Sequence, residues 1–163
     1  MSKITEARQY DQDNKPINAM DMYHLSIQNK TAEFSDYINA SVLSFVFQDY
    51  GYSMHHNLPD KYVDNAWTTM YEYLDKAESL YGTDSEIKFW RKFYKIILDC
   101  EDQNDQEFIE YLNQGALVAC IGLLSLVDND SYIKDSVIKL KKLVSSGKTA
   151  KDRYVFSMIE NIN

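Results

Sequence analysis

Apolar residues recur at spacings of three and four along almost the whole chain, which is the period of amphipathic helices. A first helix is predicted over residues 2–13. Pro16 is expected to open a second helix, because the first turn of a helix does not need the amide hydrogen that proline lacks. No two alternating segments are joined by a hairpin turn signal. The pattern therefore predicts an all-α chain.

Prolines, glycines and capping residues divide the rest of the chain. The third helix is expected to end at a break around residues 51–58. Pro59 is then expected to open a long fourth helix, which ends at Gly82. In total we predict seven or eight antiparallel helices, stacked as helical hairpins because the loops between them are short. The other expected helix starts and segments are Thr31, the capping box at residues 83–86, Asn104 with Glu107, residues 116–127, residues 130–145 and Thr149.

The aromatic residues separate into two groups by their place in this pattern. Most lie on the apolar stripes of the helices and are expected in the core. The aliphatic residue Ile97 lies on one of these stripes and is expected in the core as well. Four tyrosines lie off the stripes and are expected to be exposed: Tyr50, Tyr52, Tyr73 and Tyr132.

Length and composition indicate a single α-helical domain over residues 1–163 that needs no disulfide or metal for stability. Cys100 and Cys120 form no disulfide framework, and the polar N-terminal segment lacks the apolar core of a signal peptide. The longest apolar run, residues 116–127, is too short to span a bilayer. A cytoplasmic location without a membrane partner is therefore expected.

Acidic residues are unevenly distributed, and this asymmetry carries the first functional hypothesis. The net charge is −8, and no Lys or Arg lies between Lys95 and Lys134. Such a chain repels phosphate backbones, so direct nucleic-acid binding is not expected, whereas a basic protein partner is favoured. The alternative is a solvated surface that only maintains solubility. The candidate partner-binding residues are Asp99, Glu101, Asp102, Asp105, Glu107 and Glu110.

No catalytic or cofactor motif is present. The adjacent His55 and His56 lack the spacing of a metal site, and residues 100–107 lack the glycine of a calcium-binding loop. Neither a nucleophile elbow nor a phosphate-binding loop occurs. We therefore expect no cofactor, no metal and no enzymatic activity, although a small helical hydrolase or metal-binding enzyme is an open alternative.

One stretch has the spacing of a known repeat. Small or aromatic residues occur at Ala7, Tyr10, Ala19, Tyr23 and Ser26. These spacings resemble one unit of the tetratricopeptide repeat, a helical hairpin with a period of about thirty-four residues.

Three consensus positions of that repeat differ in this chain, because Lys3 replaces Trp, Glu6 replaces Leu and Thr31 replaces Pro. No second copy follows, so an irregular α-helical domain is the alternative fold. The resemblance implies a concave surface that binds proteins or peptides and has no intrinsic catalysis.

Small size, acidity and the lack of catalytic motifs also resemble the class of bacterial immunity proteins. The expected function is therefore a non-catalytic, protein-binding module that neutralises a basic toxin by direct binding. A tetratricopeptide-like adaptor or chaperone for a peptide segment is the alternative.

Overall fold

A computed structural model describes residues 2–162 of the chain. These residues form ten α-helices and one 3₁₀ segment, with no strand among them, which confirms the all-α prediction. The elements are α1 Lys3–Gln12, α2 Pro16–Gln28, α3 Phe34–Val46, α4 Tyr50–His55, α5 Asp60–Asp64, α6 Ala66–Tyr81, α7 Ser85–Asp99, α8 Asp105–Asn113, the 3₁₀ segment Leu117–Leu126, α9 Ser131–Ser145 and α10 Ala150–Ile159.

The helices group into two compact units. Unit 1 holds the residues up to Gly82 together with Lys148–Lys151, and unit 2 holds the residues from Thr83 to Gly147 together with those from Asp152 onward. A single domain over residues 1–163 stays a prediction. One cooperative transition in scanning calorimetry is its expected outcome.

The first helical pair of unit 1 follows directly from local sequence. The Ser2 hydroxyl caps α1 by accepting the backbone N–H of Thr5, and Pro16 is the first residue of α2. Between the helices, Asn14 adopts a left-handed conformation with φ 55°, which asparagine tolerates better than most residues. The two helices pack closely, and the small residues Ala7 and Ala19 are fully buried.

The second pair of unit 1 joins helices that are not consecutive in the chain. α3 packs against α6, while α4 and α5 lie between them in sequence. Two buried serines of α3 donate hydrogen bonds of 2.9 Å across to α6, Ser41 to the carbonyl of Met70 and Ser44 to that of Ala66. Serine in a helix usually bonds its own preceding turn, so these bonds tie one helix to another.

Four boundary predictions are corrected by the structure. α3 is capped by Glu33 and not by Thr31, because Glu33 and Asp36 form a reciprocal capping box. The predicted fourth helix is divided into α5 and α6 at Asn65, and part of the preceding break folds as α4. The N-cap of α7 is Asp84, one residue inside the predicted box. These divisions explain why the structure has more helices than predicted.

Unit 1 buries two carboxylates and gives each of them donors. Arg8 donates from Nε and Nη2 to the two oxygens of Asp36, each at 2.8 Å, and Asp36 also accepts the backbone N–H of Glu33. These bonds raise the pKa of Arg8. A buried carboxylate without such donors would cost several kcal/mol, about 3–5 when a partner is removed.

The second buried carboxylate, Asp11, joins the helical pair to the distant end of the chain within unit 1. It accepts the hydroxyl of Tyr23 at 3.1 Å and the backbone N–H of Ala150 at 2.7 Å. Burial, followed by the charge of Asp11, raises the pKa of Tyr23. A helix start leaves backbone N–H groups without intrahelical partners, and Asp11 satisfies one at the start of α10.

Unit 2 has an aromatic core formed mainly by α7 and α8. Phe89 and Trp90 are fully buried with ring centroids 5.0 Å apart, and the Phe89 ring lies 5.7 Å from that of Phe108. The placement of Ile97 in this core is wrong, because Ile97 is 49% exposed. Among the off-stripe tyrosines, Tyr50 and Tyr132 are exposed as predicted and Tyr52 is half-buried. Tyr73 is buried, contrary to the prediction.

The apolar run predicted as a central helix is mostly buried, but it folds as the 3₁₀ segment and is interrupted at Leu123. Gly122 explains part of this geometry, because a Cβ there would lie 2.8 Å from the ring of Phe108. Only glycine permits so close an approach between this segment and α8. α9 begins after Asp130, whose side chain caps it by accepting the backbone N–H groups of Tyr132 and Ile133, and α10 begins directly after Thr149.

Candidate functional site

The predicted acidic segment, residues 99–110, covers the end of α7, a short connection and most of α8. α7 ends at Asp99, and Cys100 follows with a left-handed φ of 54°. Asn104 then caps α8, its side-chain oxygen accepting the backbone N–H of Gln106 at 3.1 Å. The turn places the candidate acids on two helix ends and the loop that joins them.

Lys92 neutralises two of the six candidate acids. Its Nζ lies 2.6 Å from an oxygen of Glu101 and 3.3 Å from an oxygen of Glu107. The hydrogen bond to Glu101 raises the pKa of Lys92, and the same bond lowers the pKa of Glu101. The distribution of charge along the sequence did not indicate this pairing, because Lys92 precedes the interval without basic residues. The turn after α7 brings Glu101 and Glu107 back to Lys92.

Asp105 and Glu107 are half-buried in the first turn of α8. Acids at this end of a helix interact favourably with its dipole. Asp105 also accepts a hydrogen bond of 2.7 Å from Gln103, whose amide donates a second one of 2.7 Å to the carbonyl of Gly122. These two acids therefore stabilise the fold of unit 2.

The other three candidate acids have a different environment. Asp99, Asp102 and Glu110 are exposed, and within the described part of the chain none of them forms an ion pair. Asp99 lies in the last turn of α7, where the helix dipole disfavours a negative charge. Ile97 is exposed in the same turn, on a different face of α7 from Asp99 because the two residues are two positions apart.

A cleft of about 220 Å³ in unit 1 brings together polar side chains that the sequence did not connect. The hydroxyl of Tyr62 donates to Asp21 at 2.6 Å, and that of Tyr73 lies 3.1 Å from Nδ1 of His24. Burial raises the pKa of Tyr62 to about 12. No sequence motif links these residues, since α2, α5 and α6 bring them together only on folding.

A second cleft, of about 300 Å³, lies in unit 2 beside the end of α8. The start of the 3₁₀ segment and one face of α9 complete its walls. Both apolar and charged side chains line it.

His55, His56 and Cys120 lie outside the acidic segment and line neither cleft. The rings of His55 and His56 lie 4.8 Å apart at the end of α4. Among residues 2–162, no three His, Cys, Asp or Glu side chains are grouped so as to hold a metal ion. Burial raises the pKa of the Cys120 thiol to about 12, so it is not a thiolate near neutral pH.

Comparison of the chain with family models, with curated proteins and with solved structures finds no match. Within the described residues, every helix is too short or too polar to cross a membrane.

Proposed function

We propose that this chain is a non-catalytic, protein-binding module whose acidic segment binds a basic protein. The specific function proposed is that of an immunity protein, which neutralises a basic toxin by direct binding. The observation that carries the proposal is the exposure of Asp99, Asp102 and Glu110, which have no ion pair among residues 2–162.

Electrostatics gives this surface a role in association. Exposed charges of one sign attract an oppositely charged partner over long range and raise the rate of encounter. Internal ion pairs cancel much of this attraction, as Lys92 does for Glu101 and Glu107. Among residues 2–162, Asp105 also lacks an ion pair but is half-buried. Most of the attraction expected from this segment therefore comes from the three exposed acids without such pairs, Asp99, Asp102 and Glu110.

Ile97 adds an apolar contact to the charged surface. Specific protein interfaces commonly have an apolar centre surrounded by polar residues. Ile97 is 49% exposed in the last turn of α7, so a partner that covers this helix end would bury it. Ile97→Ser is therefore expected to speed dissociation, while the charge variants described next act mainly on association.

The test compares two triple variants of equal charge. One carries Asp99→Asn, Asp102→Asn and Glu110→Gln, and the control carries changes at the exposed positions Asp64→Asn, Asp128→Asn and Glu160→Gln. Co-purification and mass spectrometry supply the partner, and growth rescue on co-expression tests neutralisation of a toxin. We expect the first variant to associate about tenfold more slowly at low salt, with the difference disappearing at high salt.

Equal association rates for the two triple variants at low salt would show that the acidic segment is only a solvated surface. The immunity proposal would then lose its main support. A partner that is acidic, or whose expression does not inhibit growth, would also contradict it.

A tetratricopeptide-like adaptor is the second candidate function. It is favoured by the burial of Ala7, Ala19, Tyr23 and Ser26 in the α1–α2 pair, at the positions where the repeat places small and aromatic residues. An adaptor of this type binds an extended segment, so a synthetic peptide from the partner should bind as tightly as the whole partner. An immunity protein requires the folded toxin domain.

A further inference from the structure

We propose that the cleft beside the end of α8 binds an arginine side chain of the basic partner. This inference rests on the proposed function for the identity of the partner, but it concerns residues outside the acidic segment.

The walls suit the alkyl stem of a long side chain. Leu112 and Leu117 provide apolar surface, and Gly115 lies between them at the end of α8. Gly115 has φ +103°, and a Cβ built on it would meet nothing within 4 Å. The backbone there is open to the cleft, and most other residues would be strained at this φ.

The open side of the cleft favours a cation. Tyr132 presents a ring that is 52% exposed, and Asp135 lies three residues later on the same face of α9. Asp135 is exposed and forms no ion pair within residues 2–162. A guanidinium group can stack on a tyrosine ring while it donates two hydrogen bonds to a carboxylate.

The end of α8 adds a third favourable contribution. The carbonyls of Tyr111 and Leu112 already accept the backbone N–H groups of Ala116 and Gly115, so this end of α8 attracts a cation through the helix dipole and not through free carbonyls. Leu112 and Gly115 place this end of α8 at the cleft. An arginine is favoured over a lysine because its planar group can stack on the ring and bond the carboxylate at the same time.

Lys139 is the one group of the lining that opposes a cation. It lies four residues after Asp135 on the same face of α9, and no ion pair joins the two. Its removal should therefore strengthen the binding of arginine, whereas it should weaken the binding of an anionic ligand. Lys139→Ala thus separates the two chemistries.

The cleft and the acidic segment are connected by α8. Glu110 and Leu112 both lie in the last turn of this helix, so the two regions are neighbours, although side chains two residues apart face different directions. In interfaces, arginine side chains that enter a pocket often contribute much of the binding energy. The acidic segment would then mainly set the rate of encounter, and the cleft the lifetime of the complex.

The experiment titrates the full-length protein with N-acetyl-arginine amide and follows backbone amide shifts by NMR. We expect saturable shifts at residues 112–117 and 132–139. N-acetyl-norleucine amide and N-acetyl-glutamate amide are the matched neutral and anionic probes. We expect Asp135→Asn and Tyr132→Ala each to raise the dissociation constant about tenfold, and Lys139→Ala to lower it. The control variants Asp128→Asn and Tyr50→Ala should leave it unchanged.

Equal or larger shifts with the glutamate probe, or weaker arginine binding in Lys139→Ala, would overturn the proposal. Shifts confined to residues 99–110 would overturn it as well. The probe requires no partner, so this failure is separate from failure of the proposed function. Normal arginine binding together with equal association rates of the two triple variants would instead remove the basic-partner function.

Discussion

Unit 1 and unit 2 differ in whether they bury carboxylates. In unit 1, Asp11 and Asp36 are buried, and each accepts hydrogen bonds from side-chain and backbone donors. In unit 2, Lys92 pairs with Glu101 and Glu107, while Asp99 and Asp102 remain exposed. Unit 1 uses two buried carboxylates to hold helices together, in addition to exposed acids such as Asp64, whereas none of the carboxylates described in unit 2 is buried.

This difference shows that a count of acids does not identify a binding surface. A carboxylate that has internal donors contributes to stability, and its charge is less available to a partner. An exposed carboxylate without an ion pair contributes little to stability, since even exposed pairs contribute only about 0–1 kcal/mol.

Asp36→Asn should destabilise the protein most. The change leaves Arg8 facing a neutral amide and weakens the capping box of α3. We expect a loss of about 2–3 kcal/mol in the free energy of unfolding, less than for a fully buried pair because the Arg8 side chain is 38% exposed. Urea denaturation measures it.

The control for this variant is Glu33→Gln, which alters the exposed partner of the same arginine. Its expected cost is below about 1 kcal/mol. Equal losses for the two variants would contradict the importance of burial.

Ala19→Leu should overpack the α1–α2 pair, because Ala19 is fully buried in α2. The expected destabilisation is about 1–3 kcal/mol by thermal or chemical denaturation. Asn18→Leu, at the exposed neighbouring position, should have almost no effect. A harmless Ala19→Leu would remove the structural basis of the resemblance to a tetratricopeptide repeat.

Alkaline pH should weaken unit 1 through Tyr62, whose hydroxyl donates to Asp21. Burial raises the pKa of Tyr62 from 10.0 to about 12. Because the folded state holds this proton more tightly, the contribution is complete below pH 10 and is lost as pH rises towards 12. Tyr62→Phe should reduce the loss between these pH values by about 1 kcal/mol, allowing for solvent at the partly exposed hydroxyl. Denaturation in this pH range, with absorbance of tyrosinate as a second signal, measures it.

The smallest expected effect concerns the exposed pair of Lys92 and Glu101. Lys92 lowers the pKa of Glu101 below its ordinary 4.5, so the pair stabilises the protein above that pH. The contribution is lost as pH falls through the lowered pKa. Stability of the wild type and of Lys92→Met should therefore converge in acid, while Lys88→Met shows no such convergence. A constant difference at every pH would mean that Lys92 acts through packing alone.

Part of the candidate site was predictable from sequence. The run of acids is visible in the chain, and Asn104 is a recognisable helix cap, so the place of α8 followed from local rules. Its division into paired and unpaired acids did not, because Lys92 precedes the acidic run and meets Glu101 only after Cys100 turns the chain. The cleft beside α8 was equally invisible, since its walls come from α8, the 3₁₀ segment and α9.

The sequence by itself determined the helical class, the start of α2 at Pro16 and the burial of Ala7 and Ala19, because helix period, capping and side-chain size act over a few residues. Only the tertiary structure decided that α3 packs against α6, that Asp11 reaches the amide of Ala150, and which acids remain without ion pairs. Those outcomes depend on contacts between residues that are far apart in the chain. The free energies of such contacts cannot be read from a local sequence pattern.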